Sequence, residues 1–326
     1  MLRFACAAAS IDCAPINSVQ KGSSMKISSR LWPLAISFSA LASAFSHAQT
    51  VEIATIPGKA QDGYSLVGYV FKPSLDKFSA PFPAVVLVHG RAGAYSANAK
   101  GIGCDGTFTP NNCFNAGTLS ARISSWASRL QQMGYLTLVL DSFGSKGTPE
   151  GFAAGTFGDR AAMFDPKVAR VGDSYAALSY LRGRADVIPD RVGILGWSNG
   201  GTTTLNTVGS TNGFLSAPTP TTGFRAAVSF YPGCGTASLF MTNYSNYAPT
   251  LVFLAQDDAE VDPIVCRNVI NQAAQSGASI SFKFFPDTDH YFDDPSASTQ
   301  NVKLNRASTT DARRRAELFL EANLKN

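Results

Sequence analysis

The stretch Arg191-Val192-Gly193-Ile194-Leu195-Gly196-Trp197-Ser198-Asn199-Gly200-Gly201 decides how the rest of this 326-residue chain is read. Val192, Ile194 and Leu195 form a short apolar run rich in β-branched residues, which predicts a buried strand. It runs directly into a G-x-S-x-G pentapeptide, Gly196 to Gly200, with Gly201 behind it. Thr202 to Val208 then has a helical start. Strand, tight turn and helix form the context of a nucleophile elbow, in which a serine sits in strained backbone and glycines at both flanks avoid collision with neighbouring chain. Ser198 is therefore the candidate nucleophile, and the chain must supply a base, an acid and an oxyanion hole.

Outward from the elbow, apolar runs alternate with helical patterns. Strands are expected at Val51–Ile56 and Tyr64–Lys72, paired as an antiparallel hairpin, and then at Phe82–Val88, Tyr135–Leu140, Ala226–Phe230, Leu251–Ala255 and Ile280–Phe285. Helices are expected over Ile123–Met133, over Val168–Leu181 (Val168, Val171, Tyr175, Leu178 and Leu181 on one face), over Val261–Ala274 and over Arg306–Leu324. Residues 91–119, rich in glycine and asparagine, read as a long loop. This order predicts one α/β domain over residues 49–326, with a mostly parallel central sheet and helices on both faces. Ligands of such sheets bind beyond the carboxyl ends of the strands. His89, Asp141, Ser198 and Asp258 all fall at or just after such ends.

Residues 1–48 read as an export leader. Lys26 and Arg30 precede an apolar run from Leu31 to Phe45, and Ser46-His47-Ala48 offers small residues for cleavage after about Ala48. Met25, just before the basic pair, is an alternative start. The apolar run is too short for a stable membrane anchor, so a secreted or periplasmic location is expected. The leader carries four basic residues and one acidic residue. That is +3 of the chain's +4, which leaves the remainder near neutral and without a basic stripe; nucleic acid is not an expected partner. Beyond the leader stand four cysteines, an even number suited to an oxidising compartment. Cys104 with Cys113 in the long loop, and Cys234 with Cys266 at one sheet edge, are the favoured pairs. No CxxC pair is present and histidines number three, so no metal is expected.

A serine hydroxyl needs a base near its operating pH. His47 leaves with the leader. His89 precedes the serine, out of order for Ser…Asp…His, and reads as a structural residue orienting the glycine-rich turn Gly90–Gly93. The backbone N–H of Arg91 in that turn, and that of Asn199, are the expected oxyanion donors. His290, in the polar loop after the last strand, is the candidate base. Asp257 and Asp258 both follow the strand Leu251–Ala255; register favours Asp258 as the acid that holds the imidazole, with Asp262 as a third candidate. Trp197 and Tyr231 are candidates either for lining the cleft or for core packing.

With those residues in place, the chain resembles the dienelactone hydrolase family of α/β-hydrolases. The similarity runs through Val86–Gly90 and Gly93, Gly134-Tyr135, Asp141–Phe143, Asp173–Leu178, Pro189–Gly201, Phe230–Cys234, Asp258, Cys266 and His290–Asp293, in order across residues 80–295. The resemblance implies a Cys or Ser nucleophile with Asp and His, acting on esters or lactones without a cofactor. This chain differs from the founding dienelactone hydrolases, which use cysteine at the elbow, in carrying Ser198 there, in its leader and in the longer loop at residues 91–120. Family members hold a substrate carboxylate with arginines that the sequence does not place here. The expected activity is exported hydrolysis of a small or polymeric carboxylic ester through an acyl-enzyme. A polyester or polysaccharide-ester hydrolase is a variant of it, and a catalytically silent extracellular binding module is the rival. Oligomeric state is not legible.

Overall fold

The computed structural model describes residues 51–58, 63–100, 113–235 and 243–326. The leader, and with it the export reading of residues 1–48, lies outside these; so does Cys104, and hence the expected Cys104–Cys113 pair.

Eight strands form one sheet: β1 (Glu52–Pro57), β2 (Ser65–Phe71), β3 (Phe82–Val88), β4 (Leu136–Asp141), β5 (Val187–Trp197), β6 (Ala226–Phe230), β7 (Thr250–Ala255) and β8 (Ile280–Phe285). Their spatial order is β1-β2-β4-β3-β5-β6-β7-β8. β1 pairs antiparallel with β2, and β2 antiparallel with β4. Every pairing from β4 to β8 is parallel. This is an α/β-hydrolase fold, as expected.

The helices are α1 (Ala121–Gln132), α2 (Ala169–Arg182), α3 (Asn199–Thr207), α4 (Pro263–Gln275), the short α5 (Ala297–Gln300) and α6 (Asn305–Leu324). β3 reads as unbroken apolar sequence because both its faces are covered. Val85 and Leu87 pack with Trp126 and Leu130 of α1 and Leu320 of α6. Ala84, Val86 and Val88 pack with Ala177, Leu178 and Leu181 of α2. A third cluster joins Leu205 of α3 to Ile270 and Ala273 of α4 over β7. Truncating a fully buried leucine such as Leu130 to alanine in such a core costs about 2–5 kcal/mol.

Several expectations shift. Val168 is exposed, because α2 begins one residue later and leaves it outside the helix; the buried face instead carries Arg170 and Asp173 beside Val171, Leu178 and Leu181. α3 starts at Asn199 and not Thr202, since the elbow turns straight into the helix and tertiary contact overrides the poor helix propensity of Gly200 and Gly201. β5 begins at Val187, and α5 was not anticipated. Cys234 and Cys266 are disulfide-bonded. They meet not at a sheet edge but between the loop after β6 and the first turns of α4, because β6 and β7 are interior strands.

Candidate active site

The elbow is held by backbone crowding. Ser198 adopts φ 53°, ψ −120°, a conformation that side-chain-bearing residues rarely hold. A Cβ at Gly196 would run into the Gly200 carbonyl and Thr204 Oγ1, and one at Gly200 into the carbonyls of Val88 and His89. Ser198 N–H donates to the Phe230 carbonyl at 2.9 Å, which ties the turn to β6. Both flanking glycines are therefore steric necessities.

Beyond the carboxyl ends of β5, β7 and β8, three side chains line up. Ser198 Oγ lies 3.0 Å from His290 Nε2, and His290 Nδ1 lies 2.6 Å from Asp258 Oδ2. All three are nearly excluded from solvent. The other Asp258 oxygen accepts the N–H groups of Glu260 and Val261, each at 2.9 Å, which fixes the carboxylate. The three candidate acids separate cleanly. Asp257 pairs with Lys303 at 3.0 Å, and Asp262 caps α4 through the N–H of Ile264 at 2.8 Å. Only Asp258 meets His290 Nδ1.

The histidine loop is held by side chains. Asp293, fully buried, accepts Trp126 Nε1–H at 3.0 Å, Trp197 Nε1–H at 2.8 Å and Tyr231 O–H at 2.5 Å. The Tyr231 ring packs 4.5 Å from the imidazole, while Gln300 and Thr309 donate to the Phe292 carbonyl. Burial raises the Tyr231 phenol well above its ordinary value, so it stays protonated as a donor. Trp197 and Tyr231 thus resolve to core packing and loop support.

Neither the Arg91 nor the Asn199 backbone N–H is spent on another hydrogen bond among the described residues. His89 behaves as expected of a structural residue. Its Nδ1–H donates to the Gly90 carbonyl at 2.8 Å, and its Nε2 accepts the Ser142 N–H at 3.2 Å. Burial, reinforced by the Arg170 charge, drives its proton affinity far down, so the ring is neutral. The Gly90 carbonyl shares a peptide plane with the Arg91 N–H, so this contact also fixes the direction of that donor.

Ser198 and Asn199 open into a cleft of about 300 Å³ shared by Arg91, Arg160, Phe157, Glu260 and Val261. At its rim Arg91 grips Glu260 through Nε (2.8 Å) and Nη2 (2.6 Å), and Tyr291 O–H adds a third contact at 3.0 Å. Burial pushes the Glu260 carboxyl up, but Arg91 and the nearby His290 outweigh it and hold it below the usual range. Arg160 stacks over Phe152 at 4.9 Å and makes one long contact to Thr156 Oγ1 at 3.5 Å. Sequence reading missed Asp293, Glu260 and Arg170, whose partners lie 29 to 169 residues away. Two larger hollows, of about 660 and 770 Å³, lie against α2 and α6 and contain none of Ser198, Asp258 or His290. Among the described residues no group of three or more His, Cys, Asp or Glu side chains is arranged to hold a metal. Nor is any helix there long and apolar enough to cross a membrane.

A serine on a glycine-flanked elbow, hydrogen-bonded to a histidine after the last strand, marks the α/β-hydrolase class. Within that class, the sequence profile of the dienelactone hydrolase family matches residues 116–324, and the chain belongs to that family of hydrolases. A curated relative, the Bacillus subtilis (strain 168) protein YtaP, assigned as a hydrolase, is 28% identical over 148 residues; the match covers 41% of this chain and 40% of the relative. Among solved structures, a Klebsiella pneumoniae protein described as a dienelactone hydrolase superposes with a TM-score of 0.60 at 19% identity, covering 83% of this chain and 98% of that one. Esterase 2 of Thermogutta terrifontis gives 0.56 at 15% identity over 84% and 95% of the two chains. The metagenomic dienelactone hydrolase-like phosphotriesterase P91 gives 0.56 at 18% over 84% and 98%. These likenesses establish the fold.

Proposed function

We propose that the chain is an exported serine hydrolase that cleaves carboxylic esters through an acyl-enzyme. The observation that carries this is the unbroken hydrogen-bonded line Ser198–His290–Asp258, whose serine opens into the cleft. Ser198 Oγ attacks the acyl carbon while its proton passes to His290 Nε2. Asp258 holds the Nδ1 tautomer and stabilises the imidazolium. The backbone N–H groups of Arg91 and Asn199 receive the oxyanion. The tetrahedral adduct collapses as His290 returns the proton to the leaving alkoxide, and water then repeats the sequence on the acyl-serine. Export rests on the leader sequence and agrees with the Cys234–Cys266 disulfide. The catalytic domain is taken as residues 49–326.

The cleft volume lies at the small end of ligand pockets, which favours short acyl groups. Arg91 is neutralised by Glu260, whereas Arg160 has no carboxylate within ion-pair distance among the described residues. Esters bearing an acid are therefore expected to bind over Arg160, and Arg160→Ala should raise KM for a half-ester more than for its diester. A complete triad disfavours the silent binding module. The test is hydrolysis of p-nitrophenyl esters from acetate to octanoate by wild type and Ser198→Ala. Wild type should favour the short chains, and the variant should lose about 10⁴–10⁶ in kcat. A variant that keeps its rate refutes the mechanism.

A further inference from the structure

Arg170 has no role in the mechanism above, yet it is a fully buried cation. It stands in the first turn of α2 with its guanidinium 4.7 Å above the Phe143 ring. Nη1 donates to Asn199 Oδ1 at 2.5 Å and Nη2 to the His89 carbonyl at 2.8 Å. Nε is buried without a partner. No carboxylate forms an ion pair with it among the described residues, and burial pulls its pKa down to about 9 despite Asp173 and Asp141 in the neighbourhood. A cation held this way is a poor stability device, since well-packed apolar groups commonly match or exceed a buried charge. What it touches is more telling. His89 precedes the turn that carries the Arg91 N–H, and Asn199 carries the other expected donor.

We infer that Arg170 is a positioning residue that locks the two halves of the oxyanion hole together. One planar fork fixes the turn after β3 against the first residue of α3. It also draws the Asn199 side chain into the core, which leaves that residue's N–H directed at the cleft. Because the hole acts on the transition state, loss of the fork lowers kcat and leaves substrate binding in place. The inference rests on the serine-esterase reading of the same site.

The test compares wild type, Arg170→Met, Asn199→Ala and the double variant with a p-nitrophenyl ester and a trifluoromethyl ketone, while a separate sample of each is labelled with a fluorophosphonate. Arg170→Met should lower kcat about 10- to 100-fold, below the 10²–10³ of a donor lost outright. KM should stay within about threefold, and ketone affinity should fall in parallel with kcat. Asn199→Ala keeps the peptide N–H but removes the acceptor of Nη1. It should show a smaller loss of the same kind, and the double variant should be no worse than Arg170→Met. Wild-type kcat and ketone affinity in Arg170→Met overturn the inference, as does a kcat loss without weaker ketone binding. If Arg170→Met does not fold, Asn199→Ala decides alone, and wild-type values for it overturn the inference. A folded wild type that neither labels nor turns over removes the esterase reading itself. A wild type that labels in one sample and turns over in the other, with an unaffected Arg170→Met, removes only the role of Arg170.

Discussion

The serine side and the histidine side of the site are built by different means. Around Ser198 the backbone does the work, with glycines admitting neighbouring carbonyls where no Cβ fits. Around His290 side chains from distant elements converge, with two indoles and a phenol on Asp293. Backbone crowding leaves a local sequence signature; long-range side-chain support leaves none. The two constructions also fail differently. A steric fault at the elbow has no way to relax, whereas a weakened hydrogen bond in the histidine loop lets the imidazole drift while the sheet survives.

The largest effect is expected at the elbow. Gly200→Ala drives a methyl into two carbonyls and should destabilise by about 4 kcal/mol or more, read as loss of soluble protein or a collapsed urea midpoint. A near-normal midpoint would break the contrast. Next comes reduction of Cys234–Cys266, which spans 32 residues and should cost about 3–4 kcal/mol in chain entropy. Because the bond touches neither the serine nor the histidine, kcat of the reduced, still-folded enzyme should stay within about twofold of wild type. Asp293→Asn should cost about 2 kcal/mol, since three bonds lose a charged acceptor. Its kcat should nevertheless fall about tenfold, and a loss of stability with unchanged kcat would show that the loop does not govern the imidazole.

The smallest effect belongs to Glu52, on the edge strand β1 and remote from both regions. Hydrogen bonding from Arg184, helped by Lys72, lowers its carboxyl to about 2 from the ordinary 4.5. A depressed folded-state value means stabilisation that is complete above about pH 4.5 and lost as pH falls toward 2. Glu52→Gln should therefore melt slightly below wild type at pH 7, and the gap should close between those limits. A gap that persists at pH 2 would refute the ion pair as its cause.

The same division explains what could be read in advance. Phe82–Val88 and Ala226–Phe230 matched their strands residue for residue, because a doubly covered strand writes its burial on the chain as an apolar run, and the half-buried edge strand Ile280–Phe285 matched as well. The meeting of Ser198, His290 and Asp258 followed from chain order, the ends of strands and, for Asp258 over its neighbours, register. The start of α3 was misjudged by three residues, because local propensity penalises glycines that tertiary contact requires. Val168 was misassigned because helical periodicity does not say where the first turn begins. The roles of Arg170, Glu260 and Asp293 were invisible: a charged residue ordinarily reads as surface, and its burial is decided by partners far along the chain.

On the proposed mechanism Arg91 serves twice, with its amide facing the hole and its guanidinium closing on Glu260 at the rim. The chemistry at this position then belongs to the main chain, which every residue but proline supplies. The side chain is thereby left as an adjustable gatepost. Diversifying position 91 together with position 260 should reshape which esters enter while catalysis by the triad persists, which makes this pair the natural starting point for evolving new selectivity.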